Sequence, residues 1–492
     1  MDVNIGFIHD REEINITTEG SFKIVSGEET ISIVNGKQFH RFSISSGAKT
    51  EFEWYEKIDT FYSIEKLKQM RDREYFKDSK VRIEKVGKDF GNGLNNYEYW
   101  VLKWIAHPPA GIYKMGDFRF KRIPKKRAKG EIEYNGKIYE NRIDLIPMNE
   151  ESKFYVEDVV VGIGFHWEHK ERLSYKGNLG IIVNMDGNLS GVNRIDLEEY
   201  LMSVNSSEMR NDNNIEMLKA QTVAARGTVL ATMGKHHFGE GFDLCGDDHC
   251  QCYQGFSKIS DLSREVTLST KDEVLFFENR VADTRYAKIC GGVSEYYSSC
   301  WEDMDFSYLR AVYDNRREDY PSGDLREESE AERFILDEGY DCFCNTKNHN
   351  LPQSLDFCKP LFRWEFSFTH KDFKRLLKKN LNFEVGKTID FEVVKRGVSA
   401  RIVELKIISD KRSITISKEL KIRKVFSDSF LPSSAFFIEK NGEITTFKGA
   451  GWGHGVGLCQ VGAEVMGSKG YNYKEILSHY YRGSKLKKYT IA

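Results

Sequence analysis

The sequence predicts an α+β protein, and three observations carry that expectation. The first 50 residues read as five short strands, VNIGFI, EINITT, SFKIVSG, TISIVNG and FHRFSIS, separated by Gly, Asn or Glu turns. Residues 215–235, IEMLKAQTVAARGTVLATMGK, read as one long helix. Alternation then returns over 387–447 in FEVVKRG, RIVELKIIS, SITISKEL and FFIEKNGEITTF, and the chain closes with two short helices around Gly470.

Between these landmarks each element has a local reason. SIEKLKQMRDREYF is a helical stretch, and GEIEYNGKIYENRIDLIPM is strand-like. The Asp186–Gly187 pair suits a two-residue hairpin turn. Asp196 is placed as a helix N-cap, with Glu199 three residues on completing a capping box for LEEYLMSV. In the long helix, Ile215, Leu218, Val223 and Val229 supply apolar faces, while Ala220, Ala224, Ala225 and Gly227 let another backbone come close. Gly227 costs that helix about 1 kcal/mol relative to alanine. The 316–360 region is charged and irregular, and WEFSFTHKDFKRLLKKN reads as a strand followed by a helix. No repeat of fixed period is present.

Composition bounds the function. The chain has 492 residues, 40% of them hydrophobic, with 32 Phe and 24 Tyr to build a large core. A formal charge of -2 gives no overall field for nucleic acid or an anionic membrane, so no nucleic-acid partner is expected. KRIPKKRAK at 121–129 reads as a solvated basic loop. No window of about 18 apolar residues marks a transmembrane helix. The N-terminal stretch lacks the charged-then-apolar pattern of a signal sequence, which fits a cytosolic protein or a trimmed mature form. His107–Pro108–Pro109 and the His166, Trp167, His169 group read as turn or packed residues rather than ligands.

Three constellations can carry chemistry. Glu208 follows one apolar helix and precedes another, in a turn where its carboxyl can face a cleft; burial there favours the protonated form that a general acid needs. In DLCGDDHCQCYQG, Cys245, His249, Cys250 and Cys252 offer thiolates and an imidazole within one loop, a donor set that suits zinc. His237 is taken as the fourth ligand, with His236 as its alternative and disulfide pairing as the competing use of the cysteines. In GAGWGHGVGLCQVG, glycine occupies every second position from 449 to 457. No Gly-Lys-Ser/Thr follows, which excludes a phosphate-binding loop. Glycines at that spacing let the backbone run close to a ligand or another chain segment. His454 is then expected to be accessible, and Gln460 to share its site.

Taken together, YLMSVNSSEM at 200–209, LKAQTVAAR at 218–226, DLCGDDHCQ at 243–251, CGGVSE at 290–295 and GAGWGHGVGLCQVGA at 449–463 resemble the stage II sporulation protein D / LytB family of bacterial cell-wall proteins. The likeness extends over about 175–315 and 360–488. It implies a split catalytic core with short helices lining a cleft, lytic cleavage of peptidoglycan glycan strands, and Glu208 as the single catalytic acid/base. Gln221, Arg226, Tyr286, Glu295, Trp452, His454 and Gln460 are assigned to substrate binding, and Cys245, His249 and Cys250 to zinc, more a structural than a catalytic ion. The LytB branch implies an alternative, a glycan-binding enhancer of a cell-wall amidase. A further rival is a zinc hydrolase using His454 with the cysteine loop. The family is exported, so a position in the cell envelope or periplasm is expected. Cys252 and Cys459 lie beyond the family pattern and are not expected to touch Glu208. The chain divides on this reading into 1–51 (β part of the core), 52–172 (an inserted β-rich module), 173–315 (first half of the core), 316–360 (the charged segment) and 361–492 (second half).

Overall fold

The computed structural model describes all residues except 48, 71–72, 92–93, 108–118, 127–128, 163–167, 248, 317–322 and 491–492. His107–Pro108–Pro109 and the His166, Trp167, His169 group therefore lie for the most part outside the described residues. Strands and helices are mixed, as an α+β class requires.

The N-terminal half is built on two facing sheets. The five strands expected in the first 50 residues form, and they divide between the two. The seven-stranded sheet runs Leu244–Cys245, Asp2–Arg11, Leu189–Asp196, Asn178–Val183, Arg142–Pro147, Ser21–Ser26, Glu29–Asn35. The six-stranded sheet runs Lys137–Glu140, Gly130–Tyr134, Gln38–Gly47, Glu13–Glu19, Lys153–Val161, His169–Tyr175. Alternation points Val3, Ile5, Phe22 and Ile24 of one sheet and Ile14, Ile16, Phe42 and Phe154 of the other into one core. Strand pairing thus ties 130–175 to 1–51 as well as to the following strand Asn178–Val183. Only Glu51–Phe61, Val81–Val86, Glu98–Ile105 and Phe120–Lys126 form a four-stranded sheet of their own.

Several local expectations are corrected. The basic run at 121–129 is a strand through Lys126, not a solvated loop. Its cations lie over aromatic faces, Lys121 4.6 Å from the Trp100 centroid and Arg122 4.0 Å from Phe52, while Ile123 is buried. The helix at 63–76 stops at Gln69. The Asp186–Gly187 turn is wider than two residues: Asn184 N–H bonds to Asn188 O across Met185–Gly187, with Gly187 at φ 87°. Asp196 does cap its helix, accepting from Glu198 N–H, but the Glu199 half of the box does not form.

That helix, α1 (Leu197–Glu208), and α2 (Ile215–Thr232) cross under the sandwich. α2 is buried on nearly every face, so its alanines serve close packing all round rather than one amphipathic stripe. A Cβ on Gly227 would collide with Thr284 Oγ1, and the Thr284 hydroxyl instead donates to Ala224 O at 2.7 Å. The glycine admits the 282–284 segment against the helix, which offsets its poor propensity. Arg226 is fully buried and belongs to this framework: Nε and Nη2 meet the Glu198 carboxylate at 3.0 and 2.6 Å, and Nη1 donates to Glu273 O. Assigning it to substrate is therefore corrected. Removing one partner of such a pair typically costs about 3–5 kcal/mol because the other charge is left buried.

The C-terminal half has its own core. Strands Arg363–Thr369, Ile444–Ala450 and Phe436–Asn441 form one sheet, and Ile389–Arg396, Ile402–Ser409 and Ser413–Ser417 another, with helix His370–Leu381 across them. The chain then returns to α2 through α3 (Gln460–Ser468). The 316–360 segment is less open than its charge suggests, since Cys342, Cys344 and Cys358 are all buried.

Where α3 meets α2, Glu464 accepts from Asn214 N–H at 2.8 Å and is 3% exposed. Burial lifts its carboxyl to about 7, with the Asn214 bond opposing and Asp212 adding to the rise. Because the folded value lies above the ordinary 4.5, this group's contribution is fully present below that value. It is lost as pH rises through about 7. Glu464→Gln keeps the acceptor and cannot ionise, so it should gain on the order of 2–3 kcal/mol over wild type near pH 8 and little near pH 5, read by thermal denaturation.

Candidate functional site

α1 ends on Glu208, with Met209 as its C-cap, so the glutamate closes a helix rather than sitting in the turn. It is half-buried. Oε1 accepts the Cys252 main-chain N–H at 3.2 Å, and Oε2 has no hydrogen-bond partner among the described residues. Cys252 therefore does touch Glu208, contrary to expectation, because the cysteine loop folds back beneath the helix end. Lys288 donates from Nζ to Glu208 O at 3.2 Å and lies 3.5 Å from Met209 Sδ. A cation on the last carbonyls of a helix is favoured by the helix dipole. Tyr286 stands beside this group. Its buried hydroxyl has Gln251 nearby but no bond of proper geometry, and burial, followed by the Glu208 charge, pushes its pKa well above the usual range. No local pattern points to Lys288 or the Cys252 amide, since both reach Glu208 only through the tertiary fold.

Below the same loop, His237, Cys245, His249 and Cys250 bring one ligand atom each to within 4.8 Å of all the others. Cys245 Sγ and Cys250 Sγ lie 3.7 and 3.6 Å from His249 Nδ1, and Cys250 Sγ is 3.4 Å from His237 Nε2. A tetrahedral ion with Zn–S of about 2.3 Å and Zn–N of about 2.05 Å would set such edges near 3.6 Å. The His237 Nδ1 atom is held by Glu240 Oε2 at 3.0 Å, the outer-shell carboxylate that commonly orients a ligating imidazole. His236 also approaches Cys250 Sγ, at 3.7 Å, but is not one of the four. No disulfide joins any of the nine cysteines.

The glycine-rich stretch does not continue as a strand past Ala450. Gly451, Gly453, Gly455 and Gly457 have φ of 78°, 99°, 75° and 73°, the left-handed region that side chains resist. What approaches them is the protein itself. A Cβ at 451 would lie 2.7 Å from Ile289 O; at 455 it would collide with the Arg401 guanidinium, and at 457 with Arg285 O. The room these glycines make is thus filled by 285–295 and Arg401, not by a ligand.

The remaining candidates separate. His454 is half-buried rather than freely accessible; Nδ1 accepts from Val456 N–H at 3.0 Å, and the ring meets Trp301 edge-on at 4.8 Å. Burial first, then Arg285, Arg401 and Arg423, depress its pKa well below the usual value, so it is neutral at pH 7. Gln460 is buried and donates to Gln221 Oε1 at 3.2 Å across the α2–α3 contact, so these two pair with each other instead of joining His454. Glu295 is fully buried, one oxygen bonded by Tyr296 N–H and Ser299 Oγ and the other by Ser399 N–H and Oγ. It is a structural anchor. Trp452 is half-exposed and meets exposed Phe357 edge-on at 5.6 Å. A cavity of about 500 Å³ lies between the four-stranded sheet and the core, lined by Trp100, His236, Arg285 and Trp301 among others, but Glu208 is not in its wall.

Comparison with known proteins places these features. The sequence model of the family described as stage II sporulation protein matches residues 185–277, which hold Glu208 and the Cys/His ring. A second, described only as a domain of unknown function, matches 295–457. An uncharacterized protein of Brachyspira hyodysenteriae is 27% identical over 320 residues, covering 65% of this chain and 73% of that one. Stage II sporulation protein D of Bacillus subtilis is 25% identical over 311 residues, 60% of this chain and 75% of its own length. The amidase enhancer of Bacillus subtilis is 26% identical over 313 residues, 59% of this chain but 40% of that protein. The chain therefore carries a stage II sporulation protein domain and is a homologue of proteins bearing those two names.

Gly457→Ala should lower stability by about 2–3 kcal/mol or more, since it adds a backbone collision to the left-handed strain. Gly470→Ala, at φ 90° with nothing within 4 Å of the added carbon, is the control and should lose only the strain term. Denaturant midpoints of the two variants check this.

Proposed function

We propose that the protein is a peptidoglycan lytic transglycosylase acting outside the cytoplasmic membrane, with Glu208 as its one acid/base. The observation that carries this reading is the asymmetry of that carboxylate: Cys252 N–H fixes Oε1, and Oε2 remains without a hydrogen-bond partner among the described residues. One oxygen orients the group while the other is available to move a proton. In the proposed reaction Glu208 gives its proton to the glycosidic oxygen between N-acetylmuramic acid and N-acetylglucosamine. The resulting carboxylate then takes the proton of the muramoyl 6-hydroxyl, whose oxygen attacks C1 and closes a 1,6-anhydro ring. No water enters, so the paired carboxylates of ordinary glycoside hydrolysis are not needed. Of the residues assigned to substrate binding, Tyr286 lies beside Glu208, with its hydroxyl buried and unbonded in the protein. The half-exposed Trp452 with Phe357 offers an apolar face for a sugar ring.

The catalytic core on this reading is assembled from 173–315 and 361–492, with 51–126 as an addition to it. The Cys/His ring is proposed to hold zinc. Four protein ligands leave no open coordination position, which supports a structural ion and disfavours a zinc-bound nucleophile near His454. The zinc would supply fixed geometry to the loop that ends at Cys252, and hence to the amide that holds Glu208. Homology to an amidase enhancer supports a second reading, in which the protein binds glycan and activates an amidase without cleaving.

Mass spectrometry of products from intact and peptide-stripped peptidoglycan separates the readings. Wild type is expected to release 1,6-anhydro-muramic acid ends, and Glu208→Gln to lose at least about 100-fold in rate, the scale of general acid–base catalysis. Reducing-end products would point to hydrolysis, and glycan binding with no products to the enhancer role. For the ring, Glu240→Gln should weaken metal retention about 10–100-fold in chelator competition.

A further inference from the structure

A second group of ligands lies on the other side of the Gly-rich stretch. Cys290, Asp314, Cys344 and Cys459 bring one ligand atom each to within 4.8 Å of the others, and all four residues are buried. Cys290 Sγ and Cys344 Sγ are 3.6 Å apart. Cys459 Sγ, at the N-cap of α3, accepts the Cys290 main-chain N–H at 3.2 Å, a bond that suits a thiolate. Asp314 is oriented from both sides, Oδ1 by the Tyr480 hydroxyl at 2.6 Å and Oδ2 by Cys344 N–H at 2.9 Å. Each oxygen keeps a lone pair for a further bond. Cys342 stands just outside, its sulfur 3.9 Å from that of Cys344.

We propose that Cys290, Cys344, Cys459 and Asp314 form a second metal site that holds one tetrahedral zinc-class ion. The spacing decides the class. Around a single ion with Zn–S of about 2.3 Å, neighbouring sulfurs lie about 3.8 Å apart and sulfur–oxygen edges are about 3.5 Å. An iron–sulfur cluster would hold its ligand sulfurs farther apart. The soft thiolate majority selects against magnesium and calcium. Binding needs all four ligands deprotonated and releases the protons they carry to solvent, and the three thiolates, the carboxylate and a divalent ion sum to the same charge as a four-cysteine zinc site. Without a cation, the buried Cys290 and Cys344 thiols would have mainly each other as weak partners.

The ligands come from distant parts of the chain: the CGGVSE stretch, Asp314, the 316–360 segment and the end of the Gly-rich run. The ion would pin these together two residues from Lys288, whose ammonium sits on the Glu208 carbonyl. This site is independent of how Glu208 is used, so its test needs no activity.

Metal content of the full-length protein, measured by inductively coupled plasma mass spectrometry, is the first readout. One equivalent of zinc fewer in Cys344→Ser than in wild type, and one fewer in the Cys250→Ser/Cys344→Ser double variant than in Cys250→Ser alone, supports the site. Full retention of metal in a folded Cys344→Ser overturns it, as does iron in place of zinc. Should Cys344→Ser fail to fold, cadmium-113 spectra of the wild type decide: two resonances support two thiolate sites, and a single one overturns the second. Non-reducing peptide mapping that finds Cys290 joined to Cys344 in the purified protein would also overturn it.

Discussion

The fold around the site depends on one close approach, the glycine-rich run lying against 285–295. Trp452 N–H donates to Ile289 O at 2.8 Å, and Trp452 O accepts from Ile289 N–H at 3.0 Å; Glu295 N–H reaches Gly455 O at 2.8 Å, and Leu458 N–H and Val461 N–H reach Arg285 O and Lys288 O at 3.1 Å. Each such bond nets only about 1 kcal/mol, but leaving buried main-chain groups unmade would cost more. The clasp forms because the positions that face the incoming backbone carry no side chain. It sets Tyr286 and Lys288 beside the end of α1, and it brings Cys290 next to Cys459.

The rest of the molecule holds that clasp from two directions. On one side, the facing sheets and the buried Glu198–Arg226 pair fix α1 and α2, so the last turn of α1 presents Glu208 at a set height above the cysteine loop. On the other, Arg401 and Glu295 are buried and bonded between the C-terminal strands and the 290–295 stretch, Arg401 to Cys290 O and Gly453 O, and Glu295 to Ser399. Polar residues that a motif presents as candidates for ligand binding are here spent on joining the halves. Framework and site share one set of motifs, and burial is what separates their members.

The sites differ in how they are assembled. Glu208 and the buried cysteine group each gather groups from segments far apart in sequence, whereas the ligands of the Cys/His ring all lie within 237–250. The ring lies on the loop whose Cys252 amide holds Glu208, and the buried group lies two residues from Lys288. Metal at either place would act on the glutamate only by fixing the geometry of a loop. On the proposed function, a reaction needing a single carboxyl would thus depend on many residues that never meet the substrate.

Much of the fold was legible in the amino-acid order. Period-two alternation marked the strands of the first 50 residues and of 387–447, and the spacing in DLCGDDHCQ marked a ligand loop, because short-range patterns are set by local geometry. The sequence also determined that Glu208 stands out among the acidic residues, through the motif around it. What it left undecided is contact at long range. Strands 130–175 join sheets with residues 1–51, a partnership that no local period records. Arg226, Glu295 and Gln460 look available in one dimension and are buried in three. The glycines announce a close approach in sequence, but only the tertiary structure decides that the approaching group is the protein's own backbone, since the absence of a Cβ makes room without naming its occupant.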